Sequence, residues 1–265
     1  MFAPLVSKEA RDEQVVFDVV CGRVERLFLP NPATLLMSGV SWGRAEAMFT
    51  PAFWTAQAWY HRESGQFTDF SWSSDLRREI VGCLLGGHGI SSEMNRVAFE
   101  RLNCSGLLES DWQRGEEDVF TLLRTPFVVD GRLVRYRFAA QKSRFITHAL
   151  RKMESESRPD GGAVELRDWL LSFPGIGMKT ASWITRNHLC TDLVAVIDIH
   201  IFRAGVIMGL YSGDEVLPRN YRCMEQKFLE FAKRIGVSAC KLDVIIWRTM
   251  KDSRQIGLKS FRNAA

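Results

Sequence analysis

Metal-binding cysteine patterns are missing from this 265-residue chain. Its six cysteines stand at 21, 83, 104, 190, 223 and 240, too far apart for a CxxC pair, and the histidines supply no zinc spacing. The clustered four-cysteine run that would hold an iron–sulfur cluster is absent as well. The thiols therefore read as reduced and mostly buried, as in an intracellular protein. No apolar stretch approaches the ~20 residues needed to span a membrane. The leading MFAPLVSKEARDEQ turns charged too soon for a signal peptide. No internal repeat is evident. These absences point away from zinc domains, disulfide scaffolds and membrane proteins.

What is present suits a globular protein. Apolar residues make up 46 % and charged residues 25 %, which leaves little room for extensive disorder. The length suffices for one sizeable core or two small domains. A net charge of +4 and a pI near 8.8 permit a polyanionic partner without demanding one.

Along the chain, residues 1–14 read as a polar lead-in. Residues 15–29 begin like a strand and end like a helix, and Pro30 and Pro32 stop either. Thr50 and Pro51 make a helix start for AFWTAQAWYHR, with Trp54, Ala58 and His61 on one face. Residues 64–75 read as a loop. Asp75 caps the helix LRREIVGCLLGG, which Gly86, Gly87 and Gly89 break. Ser91 or Ser92 caps an amphipathic EMNRVAFERL. A short helix is expected around EDVFTLLR, then a hairpin or elaborated loop with a DG turn in TPFVVDGRLVRYRF. The basic amphipathic helix AAQKSRFITHALRKM follows. Residues 154–162 read as a linker or loop. Helices then run to about residue 251, interrupted at PGIG, and the last dozen residues look like a tail. The pattern is mainly α, with strands near the N-terminus and around 127–137.

The stretch 166–210 carries the chemistry. LRDWLLSF is amphipathic, and Pro174 ends it. Gly175 and Gly177 flank Ile176, and MKTASWITRNH opens a second helix. Backbone amides at a helix N-terminus, unencumbered by Cβ atoms, suit one phosphate. On these residues alone, an ordinary αα-hairpin with a glycine turn stays open. A Walker loop is excluded, because the adjacent Gly-Lys and the four-residue spacer are missing. Asp198 lies 19 residues after Lys179, between the apolar LVAVI and HIFRAGVIMGL. Taken singly, Asp198 reads equally as a helix N-cap and Lys179 as a solvated helix lysine.

Together, L-x-x-F-P-G-I-G-x-K-T-A and V-I-D-x-H-I-x-R resemble the helix–hairpin–helix DNA glycosylase superfamily. The likeness is greatest to the 8-oxoguanine DNA glycosylase/AP lyase branch, which carries a lysine where Lys179 stands. It is strong over about 45 residues and extends more weakly over 76–150. One departure is AVI before Asp198, where the superfamily has a Gly/Pro-containing loop.

The resemblance implies a two-lobed helix–hairpin–helix fold, with a small N-terminal β element and a flipped base held between the lobes. The expected division is an N-terminal segment 1–75 packing on the C-terminal part, a helical lobe 76–150, the hairpin and aspartate segment 151–211, and helices and tail 212–265. Lys179 and Asp198 are the implied catalytic pair, with Lys179 desolvated in an apolar pocket or close to another cation. Pro174, Gly175, Ile176 and Gly177 are the implied phosphate clamp. His88 and Ile90 are candidates for a duplex-probing wedge, and His200 for active-site support. An interhelical turn and a structural histidine are the plain alternatives for these. Arg137, Lys142 and Arg144 read either as extra DNA charge contacts or as a solvated face. Trp54, Trp59, Phe53 and Trp183 read as core more readily than as base-stacking groups.

The implied partner is double-stranded DNA, bound by a monomer in the cytoplasm, at the nucleoid of a prokaryote, with no metal or organic cofactor. The alternatives are a glycosylase for another or bulkier modified base, as in defence against phage DNA, and a non-catalytic DNA-binding module. An all-α interaction protein is a third.

Overall fold

Thr50, Asp75 and Ser91 each turn their side chain back onto the helix that follows. Thr50 Oγ1 accepts from Phe53 N, Asp75 Oδ1 from Arg78 N and Ser91 Oγ from Met94 N, at 3.1, 2.9 and 3.1 Å. These caps start α1 (Pro51–Tyr60), α2 (Leu76–Leu85) and α3 (Ser92–Cys104), as their sequence signals predict. In this computed structural model residues 13–62, 71–109 and 115–255 are described. Most of the expected lead-in, of the 64–75 loop and of the tail lies outside them. Two compact units divide the chain: Met1–Asp69 with Ala195–Ala265, and Phe70–Val194.

The first unit opens with an antiparallel ribbon, β1 (Gln14–Val20) and β2 (Arg23–Leu29), paired from Gln14↔Leu29 to Val20↔Arg23. VERLFL looked helical but is strand. Cys21 and Gly22 both take positive φ, 49° and 76°, the geometry of a two-residue hairpin turn, and this folds the second half back along the first. Gln14 ties the ribbon to the loop beyond it: its amide nitrogen donates to the carbonyls of Pro30 and Gly43, and its oxygen accepts from Ala45 N. A short pair unmarked in the sequence follows, β3 (Leu35–Met37) with β4 (Val40–Ser41). From the far end of the chain come α8 (Ile199–Ile207), α9 (Tyr221–Arg234) and α10 (Ala239–Gln255). Helix α10 packs on α1, α8 and α9. Trp54, Met224, Phe228, Phe231, Leu242 and Ile246 are fully buried there, so Trp54 is core.

The second unit is built around α2, which packs on α3, on α5 (Ala139–Ser155) and on α7 (Met178–Leu189). Helices α4 (Glu116–Arg124) and α6 (Ala163–Leu170) complete it, with a small hairpin of β5 (Phe127–Val129) and β6 (Arg132–Val134) turning at Asp130–Gly131. The buried apolar residues of α2, α3, α5, α6 and α7 form one continuous cluster. The architecture is mainly α with small two-stranded sheets.

The cysteines correct an expectation. Cys21, Cys104, Cys190 and Cys223 are exposed, and Cys83 and Cys240 are half-buried. Cys21 sits in the ribbon turn and Cys190 at the left-handed C-cap of α7.

Candidate active site

The hairpin lies within the second unit. Helix α6 ends at Leu170, and Phe173 and Ile176 both turn into the core. Ile176 N donates to Phe173 O at 3.1 Å, closing the turn. Gly175 between them has φ +86°, and a Cβ there would lie 2.3 Å from Cδ2 of Phe145 on α5. The turn therefore needs glycine twice over, for its left-handed backbone and for the ring packed against it.

Gly177 is the N-cap of α7, and no side chain caps that end. The first amides of a helix have no intrahelical acceptor. A Cβ on Gly177 would meet no atom within 4 Å. This is the arrangement that accepts an anion.

Lys179, in the first turn of α7, is exposed. The expected apolar pocket does not surround it; its apolar neighbour is Trp183 one turn on, whose ring centroid lies 6.0 Å from Nζ. Trp183 is half-buried, and its Nε1 has no hydrogen-bond partner among the described residues.

The same helix is pinned from inside. Glu79 on α2 is fully buried. Its Oε1 accepts from Asn187 Nδ2 at 2.8 Å, and its Oε2 from Ser71 Oγ, Trp72 N and Ser73 N at 2.9, 2.7 and 3.2 Å. One carboxylate thus joins α2, α7 and the segment entering α2. A buried carboxylate is stable only with such saturation. Burial, and then Glu79, pushes the neighbouring Cys83 thiol well up.

Asp198 belongs to the first unit. It is 8 % exposed and is the N-cap of α8, its Oδ1 accepting from His200 N at 2.8 Å and Ile201 N at 2.9 Å. Both bonds fall on one oxygen, which the helix end holds in place. The preceding Ala195–Ile197 is held by α9. Glu225 Oε1 accepts from Ala195 N at 3.0 Å. Tyr221 Oη donates to Ala195 O at 2.9 Å and accepts from Ile197 N at 3.0 Å. Tyr221 and Glu225 are buried and one helical turn apart. Their side chains hold the backbone of Ala195 and Ile197 just ahead of Asp198. Sequence reasoning missed them; the only hint was a polar pair on the apolar face of α9.

His200 is half-buried, its ring edge-on to Trp247 at 6.3 Å. In the second unit His88 is exposed at the tip of the turn between α2 and α3, while Ile90 is half-buried against the core. Arg144 is exposed, and Arg137 stacks on Phe138 with its guanidinium 5.2 Å from the ring centre. Lys142 departs from the solvated-face and DNA-contact readings alike. Its ammonium is directed inward, to the carbonyls of Leu84 and Gly86.

Known proteins are similar to this chain in sequence and in fold. A family model described as 8-oxoguanine DNA glycosylase matches residues 71–237. That span contains the turn after α2, the hairpin, Lys179, Asp198 and the Tyr221–Glu225 brace. This chain belongs to the 8-oxoguanine DNA glycosylase family. The 8-oxoguanine DNA glycosylase/AP lyase of Saccharolobus solfataricus is 31 % identical over 180 residues, 64 % of this chain and 79 % of the relative. The protein of that name from Metallosphaera sedula is 32 % identical over 118 residues, 42 % of this chain and 57 % of that one. Among solved structures, the 8-oxoguanine DNA glycosylase of Thermotoga maritima superposes with a TM-score of 0.57 at 20 % identity, covering 75 % of this chain and 96 % of that one. The Methanocaldococcus jannaschii 8-oxoguanine glycosylase/lyase, in complex with DNA containing 8-oxoguanine, gives 0.55 at 18 % identity, covering 76 % and 98 %. At these identities the two structures establish the shared fold. The ribbon β1–β2, helix α1 and helix α10 lie outside the residues that the family model matches. Among the described residues, no helix is long and apolar enough to cross a membrane.

Proposed function

We propose that this protein is a DNA glycosylase with AP lyase activity, that it excises 8-oxoguanine from double-stranded DNA, and that Lys179 and Asp198 carry the chemistry. Family membership supports the reaction class. The observation that carries the residue assignment is a lysine in the first turn of the helix after P-G-I-G, together with a nearly buried aspartate held as the N-cap of α8.

The target nucleotide leaves the stack, because C1′ is inaccessible inside a duplex. Amides at the start of α7 hold a backbone phosphate, which positions the duplex without reading sequence. The neutral amine of Lys179 attacks C1′, the N-glycosidic bond breaks, and the base departs with its electron pair and takes up a proton. The Asp198 carboxylate stabilises the positive charge that develops on the sugar. Ring opening gives a Schiff base between Nζ and C1′. Loss of a C2′ proton then expels the 3′ phosphate by β-elimination, and hydrolysis returns the free lysine.

His88 and Ile90 are assigned to the wedge that fills the vacated stack, and His200 to support of the Asp198 segment. The protein acts as a monomer on cellular DNA, at the nucleoid if the cell is prokaryotic.

Base release from duplexes carrying 8-oxoguanine, another modified purine or a bulky modified cytosine tests the substrate. Release from the 8-oxoguanine duplex at the highest kcat/KM supports the reading. Release confined to another base moves the enzyme to a different lesion.

A further inference from the structure

Carbonyls at a helix C-terminus have no donor of their own within the helix. At the end of α2, three successive ones take side-chain donors from a single other segment. Lys142 Nζ donates to Leu84 O at 2.5 Å and to Gly86 O at 2.7 Å, and Tyr136 Oη to Leu85 O at 2.5 Å. A further carbonyl, Gly82 O, accepts from Asn95 Nδ2 at 3.2 Å. Lys142 stands in the first turn of α5 and Tyr136 just before it. Tyr136 is 4 % exposed. Burial pushes its hydroxyl pKa up and the Lys142 ammonium pKa down.

Beyond the clamp the chain makes one turn, closed by Ile90 N on Gly87 O at 3.1 Å, and enters α3 at Ser91. Gly87, His88 and Gly89 are exposed. A Cβ on Gly89 would lie 3.1 Å from Nη1 of Arg137, so the segment Tyr136–Lys142 touches the turn at both of its ends. A turn containing three glycines has many conformations when free. Held at its root by a cation at the negative end of the α2 dipole, it has few.

We infer that Lys142 and Tyr136 are positioning residues that hold the Gly86–Ile90 turn in the one conformation that enters the duplex when the target base flips. The inference rests on the glycosylase reading above. It gives a basic residue on a DNA-binding protein a role other than neutralising phosphate. The two roles have opposite signatures. A lysine on a phosphate contributes about one unit to the slope of log affinity against log salt, whereas a lysine spent on carbonyls contributes none. A preorganised wedge lowers the cost of flipping, so its loss falls on base release more than on duplex affinity.

The test uses the full chain with Lys142→Met, Lys142→Arg and Tyr136→Phe. Three readouts are compared with wild type: the salt slope of duplex binding, single-turnover release of 8-oxoguanine, and nicking of a preformed abasic duplex, which has no base to extrude. Amide hydrogen exchange of 84–91 is followed in the free protein. The clamp predicts an unchanged salt slope for Lys142→Met, base release slower by roughly tenfold or more, smaller loss on the abasic duplex, and faster exchange confined to 84–91. Lys142→Arg should restore most of the rate, and Tyr136→Phe, which removes one bond, should shift exchange in the same direction by less. A salt slope lower by about one unit, with release following affinity, would make Lys142 a phosphate contact and overturn the inference. So would unchanged exchange and release. Absence of base release by wild type on any duplex would strike at the glycosylase reading instead, and with it the flipping role of the clamp.

Discussion

The ring of Phe145 occupies the space that a side chain on Gly175 would need: a Cβ there would fall 2.3 Å from Cδ2. Helix α5 thereby shapes the hairpin from behind. With φ at +86°, Gly175→Ala adds backbone strain to overlap and should cost about 1–3 kcal/mol. Thermal unfolding would register the loss, and duplex affinity should fall with it because the amides of α7 no longer converge. An unchanged melting temperature would show that Phe145 moves aside freely.

Gly177→Asp separates stability from binding. The site has extended backbone and open space, and its helix has no side-chain cap. An aspartate there should cap α7 and stabilise the protein by a few tenths to about 1 kcal/mol. The same carboxylate would repel a phosphate and weaken duplex binding by roughly tenfold or more. Denaturation and a binding titration at matched salt check the two halves. Equal or tighter binding would remove the α7 N-terminus from the DNA interface.

Tyr221→Phe attacks the brace behind Asp198. The hydroxyl accepts from Ile197 N and donates to Ala195 O inside a buried site. Its loss leaves both backbone groups unsatisfied and should cost about 1–3 kcal/mol. If the brace aims the carboxylate, kcat for base release falls while duplex affinity holds. A drop in stability with kcat intact would leave the brace a purely structural feature.

His188 sets a pH dependence. Its Nδ1 donates to Ser74 O at 3.1 Å, so Nε2 accepts from the Arg158 guanidinium at 2.7 Å. Burial, and then Arg158, lowers its pKa from the ordinary 6.5. The folded state resists protonation, so as pH falls below about 6.5 the unfolded chain takes up the proton first. Stability is full above that pH, declines below it, and levels once the lowered folded pKa is passed. Denaturant midpoints measured above and below pH 6.5 should differ more in wild type than in His188→Gln. Equal differences would assign the acid sensitivity to other groups.

Much of this molecule was legible because its signals are local. The caps Thr50, Asp75 and Ser91, the Asp130–Gly131 turn and the P-G-I-G hairpin each specify their own backbone within a few residues. VERLFL misled because its helix-like spacing was overridden by a turn at Cys21–Gly22 and by pairing across the ribbon. The Tyr221–Glu225 brace and the inward course of Lys142 were not legible. Each joins residues far apart in the chain, and composition marks neither an anchoring tyrosine nor a lysine spent on carbonyls. Exposed Lys179 beside Trp183 departs from the apolar-pocket alternative and leaves the nearby-cation one open, because spacing identifies a lysine and says nothing of what surrounds it.

The central claim is that Lys179 forms a covalent bond to the sugar. Borohydride trapping on an 8-oxoguanine duplex tests it directly, with Lys179→Gln and Asp198→Asn alongside wild type. The account predicts a protein–DNA adduct for wild type, none for Lys179→Gln, and a much slower one for Asp198→Asn. Base release with no adduct, or an adduct that survives in Lys179→Gln, would contradict it.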